Sequence, residues 1–230
     1  MTTQQPEGID PIAITDWLTA RAEVRGDLSF ERIAGGQSNM TYRVADESGV
    51  RWVLRRPPLG NVLATAHDMG RESRIISALA DTEVPVPGVV GASLDDSVNG
   101  APFYVMDFVD GLVLRTHADA EALAPAARTR AGERIVDVMA DIHAVDPDAV
   151  GLGDLGRKEG YIARQLKRWY GQWEKSKTRD LPAIDEVHDT LAAAVPPQGP
   201  AAIVHGDYRL DNCLLTPDGD IVAVLDWEIC

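Results

Sequence analysis

Ile203-Val204-His205-Gly206-Asp207-Tyr208-Arg209-Leu210-Asp211-Asn212 leads into Cys213-Leu214-Leu215, the turn Thr216-Pro217-Asp218-Gly219-Asp220 and the run Ile221-Val222-Ala223-Val224-Leu225-Asp226. Two short β-type runs about a Pro-Asp-Gly turn read as a hairpin. Antiparallel pairing about that turn brings the residue before the first strand, Asn212, close to the residue after the second, Asp226. Asp207 lies on the loop that feeds them. Hard oxygen ligands of this kind suit Mg2+, which takes few protein groups and leaves room for phosphate oxygens. A further carboxylate beside such an ion can accept a hydroxyl proton, and phosphoryl transfer is catalysed mainly by positioning and charge neutralisation. Taken singly, Asp207 reads equally as a loop cap, Asn212 as a strand-end cap and Asp226 as a helix N-cap. Their convergence on one hairpin is what points to chemistry.

The rest of the chain sets bounds on that reading. A length of 230 residues allows one large domain or two lobes. A net charge of −14 leaves no basic excess for nucleic acid, though it is compatible with a cationic substrate. No apolar run reaches the length of a membrane span, and the N-terminus lacks the basic and apolar stretches of a secretion signal. Cys213 and Cys230 make no disulfide framework or metal spacing. The expectation is a soluble, cytoplasmic protein with neither a membrane nor a nucleic-acid partner.

Upstream, Asp10-Pro11 before Ile12, Ile14, Trp17 and Leu18 predicts a capped N-terminal helix. Leu28–Ala34, Thr41–Asp46 and Arg51–Arg55 predict three strands of an antiparallel meander. Between the first two, Gly35-Gly36-Gln37-Ser38-Asn39 would let backbone approach phosphates, with Ser38 and Asn39 as added donors; alone it reads equally as a Gly-Gly hairpin loop. A helix over 65–80 carries Met69, Ile76 and Leu79 on one stripe, with Glu72 between them. Val89-Val90 and 103–109 add strands that complete a five-stranded sheet in an α+β fold. An alanine-rich helical region begins at Asp119, and Ile135, Val138, Met139 and Ile142 form its core-facing stripe. The helix 161–176 sets Ile162, Leu166, Trp169, Tyr170 and Trp173 on one face, which reads as core rather than acceptor pocket, and a third helix spans about 184–194.

The spacing His-x-Asp-x-x-x-x-Asn, then a hairpin, then Asp, resembles the catalytic and metal loops of protein kinases. His205-Gly206-Asp207 with Leu225-Asp226-Trp227-Glu228 is closer to the aminoglycoside phosphotransferase and choline kinase-like family of small-molecule kinases. The branch it resembles is the kinase-like domain of some acyl-CoA dehydrogenase family members. The phrases at 35–39, 53–58, 104–111 and 142–146 support this in order, and the resemblance runs from about residue 28 to the end.

The resemblance implies a protein-kinase-like bilobal fold. It places a five-stranded antiparallel nucleotide-binding lobe with its leading helix over 1–107, a hinge at 108–112 and an incomplete helical catalytic lobe over 113–230. ATP or GTP with Mg2+ would bind between the lobes. Asp207 would act as base, favoured over Asp211 because its five-residue step to Asn212 matches the kinase spacing. Asn212 and Asp226 would hold the metal, and Arg209 would touch the transferring phosphoryl group. Arg55 stands where kinases carry a phosphate-binding lysine, with Arg56 an alternative, and Glu72 would orient that cation. Asp107 C=O and Val109 N–H would recognise the base, and His205 would prop the loop. The acceptor would be a small-molecule hydroxyl, and the branch favours a hydroxyacyl-CoA. A non-catalytic nucleotide- or CoA-binding module and an aminoglycoside-modifying kinase are the alternatives. The chain stops four residues beyond Asp226, where relatives continue, so weak or absent activity is the expectation for this chain.

Overall fold

The computed structural model describes residues 6–33, 39–60 and 68–230. Asp10 caps α1 (Pro11–Thr19), its carboxylate accepting from the N–H groups of Ile12 and Ala13, and Pro11 fits the first helical position because it has no N–H to lose. Three strands follow, β1 (Ser29–Arg32), β2 (Met40–Ala45) and β3 (Arg51–Arg56), then α2 (Met69–Leu79), β4 (Val89–Ser93) and β5 (Phe103–Asp107). They form the expected five-stranded antiparallel sheet in the order β1-β2-β3-β5-β4. Strand alternation divides its side chains between two faces. Met40, Tyr42, Val44, Trp52, Leu54, Phe103 and Val105 pack with Ile14, Trp17 and Leu18 of α1 in one buried cluster. The opposite face carries Val53, Arg55, Tyr104 and Met106, and α2 covers its β4–β5 side with Ile75, Ile76 and Leu79 buried. This alternation decides the site, because it sends the neighbours Arg55 and Arg56 to opposite faces.

The alanine-rich region is two helices, α3 (His117–Ala122) and α4 (Pro125–Ala144). Thr116 and Asp119 form a capping box on the first, and Pro125 opens the second. The expected core stripe of α4 is narrower than its sequence period. Val138 and Ile142 are buried, Ile135 is half-buried and Met139 is exposed. Next come α5 (Tyr161–Ser176) and α6 (Pro182–Ala193), then a single 3-10 turn (Leu210–Asn212), β6 (Cys213–Leu215) and β7 (Ile221–Val224). The last two pair antiparallel as the hairpin.

The chain groups into two compact units, one made of Met1–Val145 with Ile203–Cys230, the other of Asp146–Ala202. In the second unit Tyr170 stacks on His188 at 4.0 Å and donates to Asp185 at 2.7 Å, joining α5 to α6. The aromatic face of α5 is not the buried core expected from its pattern. Trp169 and Ile162 are exposed, while Leu166 and Tyr170 line a cleft of about 440 Å³ with Ala163, Lys167, His188 and Val195. No described helix is long and apolar enough to cross a membrane.

The hairpin turn rests on α4. Gly219 has φ +89°, and a Cβ there would lie 2.1 Å from the carbonyl oxygen of Ala127. Arg130 pairs with Asp220 beside it at 2.7 Å. Gly219→Ala is expected to destabilise the protein by more than the ~1 kcal/mol of an ordinary helix or turn substitution, read as a lower urea midpoint.

Candidate active site

Arg55 is the centre of the site. Its Nη1 contacts Glu72 Oε1, and its Nη2 lies 3.0 Å from Asp226 Oδ1. Glu72, from the first turn of α2, is wholly buried and so is not a solvated surface charge. The register pairs Arg55 with Tyr104, which brings the buried Tyr104 hydroxyl against both charged groups. Arg55 Nε, Glu72 Oε2 and the Tyr104 hydroxyl are buried without a hydrogen-bond partner in the described residues. Arg56, on the other face, is used elsewhere: its Nη1 donates to the Gly8 carbonyl and its Nε to that of Pro57 at 3.2 Å. Geometry thus separates two residues that sequence left open.

Burial pushes the Glu72 carboxyl up to about 7, Arg55 pulls against it, and the charges of Asp226 and Glu228 add to the rise. Burial also opposes the charge on Arg55, but Tyr104, Glu72 and Asp226 more than offset it and hold the guanidinium above its ordinary range. Because Arg55 keeps its proton and touches Glu72, the ionised pair is the state we assign. Burial, then the charge of Glu72, holds the Tyr104 phenol far above its usual range, so it remains a hydroxyl.

A second group sits on the loop and hairpin. Asn212 Nδ2 donates to the Asp207 carbonyl at 2.9 Å and to Asp207 Oδ2 at 3.1 Å. Arg209 Nε lies 3.3 Å from the same Oδ2 and 2.9 Å from Asp211 Oδ1. Both contacts to the Asp207 carboxylate fall on Oδ2, and the amide nitrogen of Asn212 is committed, which leaves Asn212 Oδ1 as the atom for a ligand. Leu225 N–H donates to the Asn212 carbonyl at 2.8 Å, so Leu225 stands opposite Asn212 and Asp226 follows. Asp226 is the one non-glycine residue with positive φ among those described, at +68°. Hard oxygens from Asn212 and Asp226 fit a magnesium ion by donor type. Groups of three or more His, Cys, Asp or Glu able to hold a metal are absent among the described residues.

His205 fixes the loop that carries Asp207. The Asp207 N–H can only donate, so His205 Nδ1 accepts it at 3.3 Å, and Nε2–H donates to the Leu225 carbonyl at 2.9 Å. Burial lowers the His205 pKa, which favours this neutral form. The ring lies 4.6 Å from that of the wholly buried Trp227.

The remaining predicted positions are scattered more widely. Asn39 is buried and its Nδ2 donates to Glu228 Oε2 at 2.9 Å. Ser38 lies outside the described residues. Asp107 closes β5 with its N–H on the Gly88 carbonyl at 2.8 Å, and half-buried Val109 follows two residues later. Glu228 and Tyr104 were missed, although both lie within phrases singled out from sequence. The signal for Tyr104 was available only through its pairing opposite Arg55.

Residues 29–230 match the model of the phosphotransferase enzyme family. The chain belongs to that family. This phosphotransferase-family chain is 37% identical over 207 residues to mouse acyl-CoA dehydrogenase family member 10, covering 89% of its own length and 19% of the mouse protein. It therefore spans about a fifth of that relative. A Ralstonia eutropha protein assigned as an aminoglycoside phosphotransferase has a crystal structure with TM-score 0.82 and 37% identity, covering 96% of this chain and 65% of that one. The streptomycin–ATP–APH(2″)-IIa ternary complex, 16% identical, shares the fold with TM-score 0.65 over 99% of this chain and 71% of that one.

Glu72→Ala would leave Arg55 half-paired, and is expected to cost about 3–5 kcal/mol in urea unfolding, as removal of one partner from a buried pair does. The His205 pKa is lower folded than unfolded, so the unfolded chain takes up the proton first and stability falls as pH drops through that range. His205→Asn should therefore lose less stability than the parent between about pH 7.5 and 5.5, measured as the change in urea midpoint.

Proposed function

We propose that this chain binds a Mg2+–nucleotide, ATP or GTP, and passes the terminal phosphoryl group to a hydroxyl of a small molecule. The observation that carries the reading is the linked pair of charge clusters: Arg55 held by Glu72 and Asp226, and Asp207 held by Asn212. Arg55 presents a permanent cation to the nucleotide phosphates and is oriented by Glu72. Asn212 Oδ1 and Asp226 hold the metal. When bound, that ion neutralises charge on the phosphate oxygens. Asp207 orients the acceptor hydroxyl and takes its proton on the oxygen not engaged by Asn212 and Arg209. Arg209, exposed and paired with Asp207 and Asp211, is placed to meet the incoming phosphoryl oxygens. His205 stays neutral and keeps the loop in register, while Asp107 and Val109 offer backbone groups to the base. The ATP in the streptomycin complex of a structural neighbour supports the nucleotide part of the reading.

As acceptor we favour a hydroxyacyl-CoA over an aminoglycoside, supported by the acyl-CoA dehydrogenase name of the mouse relative.

Titration with ATP and GTP in the presence of Mg2+, followed by phosphate-transfer assays over hydroxyacyl-CoAs and aminoglycosides, tests the reading. Asp207→Asn is expected to lower turnover by about 10²- to 10⁴-fold with nucleotide affinity unchanged. Nucleotide binding with no transfer to any hydroxyl would instead favour a non-catalytic binding module.

A further inference from the structure

The turn Asp226–Glu228 is gripped by unlike contacts along its length. Trp227 is wholly buried, and its Nε1 donates to the Val224 carbonyl at 3.1 Å. The turn therefore cannot rotate without unseating a large side chain. On one side of it Asp226 meets Arg55. On the other, Glu228 Oε2 accepts from Asn39 Nδ2 at 2.9 Å, joining residues 189 apart in sequence. Asn39 is 4% exposed and stands directly before β2, whose Thr41 is the register partner of Arg55. The hydrogen bond thus ties the turn bearing Asp226 to the strand beside Arg55.

A carboxylate at position 228 carries an electrostatic cost. It adds to the upward push on Glu72, in a cluster where Glu72 and Asp226 already share Arg55. Glutamine would accept the same hydrogen bond without that repulsion. What glutamate adds is strength, since a charged acceptor makes a hydrogen bond roughly twice as strong as a neutral one.

We propose that Glu228 is a positioning residue for phosphoryl transfer, acting through Asn39. The Asn39–Glu228 hydrogen bond fixes where Asp226 stands relative to Arg55, so that seating the metal-holding carboxylate and binding the nucleotide phosphates become one event. This rests on the phosphoryl-transfer reading above. It also changes the role of Asn39, whose amide is committed to a carboxylate instead of standing ready for phosphate.

The experiment is a swapped-pair cycle. Equilibrium affinity for Mg2+–ATP, kcat, KM and the urea midpoint of the nucleotide-free protein are measured for Glu228→Ala, Glu228→Gln, Asn39→Asp and the double variant Asn39→Asp/Glu228→Gln. Glu228→Ala is expected to weaken ATP binding about tenfold, with KM rising more than kcat falls, and Glu228→Gln about threefold. Asn39→Asp sets two carboxylates face to face and should weaken binding at least as much as Glu228→Ala. The double variant restores the bond with its direction reversed, the introduced glutamine amide donating to the introduced aspartate, and should recover most of the affinity. The positioning role is overturned alone if the parent binds and turns over ATP while Glu228→Ala matches it in both. It is equally overturned if affinity merely follows the urea midpoint across the set and the swap recovers nothing. A parent that binds no Mg2+–ATP would overturn the phosphoryl-transfer reading together with this one.

Discussion

A guanidinium sealed between two carboxylates holds the candidate site together. Burying Arg55, Glu72 and part of Asp226 costs desolvation free energy that mutual attraction repays only when the geometry is good. The geometry here needs arginine. Its planar fork reaches Glu72 with one nitrogen and Asp226 with the other, whereas a lysine ammonium is a compact point charge on a flexible stem. The sheet, α2 and the segment after β7 are thereby fastened at one atom cluster. α2 is fastened again by Arg71, whose Nε donates to the Cys230 carbonyl at 3.1 Å.

That cluster is incompletely satisfied. Arg55 Nε, Glu72 Oε2 and the Tyr104 hydroxyl lack hydrogen-bond partners among the described residues, and Asp226 sits in a left-handed conformation that costs a side chain about 1–3 kcal/mol. Unmet polar atoms and local strain gather at functional sites, where the surrounding packing overrides the local preference. Trp227 and His205 supply that packing on the hairpin side.

Much of this architecture was legible in sequence because its determinants are local. The cap and proline of α1, the Pro-Asp-Gly turn and the 3.6-residue period of α5 each act within a few residues, and those elements lie where they were expected. The choice between Arg55 and Arg56 was not legible, since it depends on which face of β3 meets α2. The burial of Glu72, the link from Asn39 to Glu228 and the approach of Tyr104 are contacts across long sequence separations. No local pattern encodes them. Met139 and the aromatic face of α5 show the converse limit: periodicity reveals that a helix has an apolar stripe, and does not reveal what covers it.

The hairpin itself is too small to stand alone, since a two-stranded ribbon is marginal in water. Its β6 edge exchanges backbone hydrogen bonds with Leu112, Leu112 N–H to the Leu215 carbonyl at 2.7 Å and Leu215 N–H to the Leu112 carbonyl at 2.9 Å. On β7, Val224 N–H reaches the Pro85 carbonyl at 2.8 Å. Gly111 leaves no clearance, because a Cβ there would stand 2.8 Å from that of Leu214. The peptide leaving β5 and the ribbon bearing Asn212 are therefore mechanically one piece. The path from Val109 to Asn212 runs wholly through backbone, by way of Leu112 and its hydrogen-bonded partner Leu215.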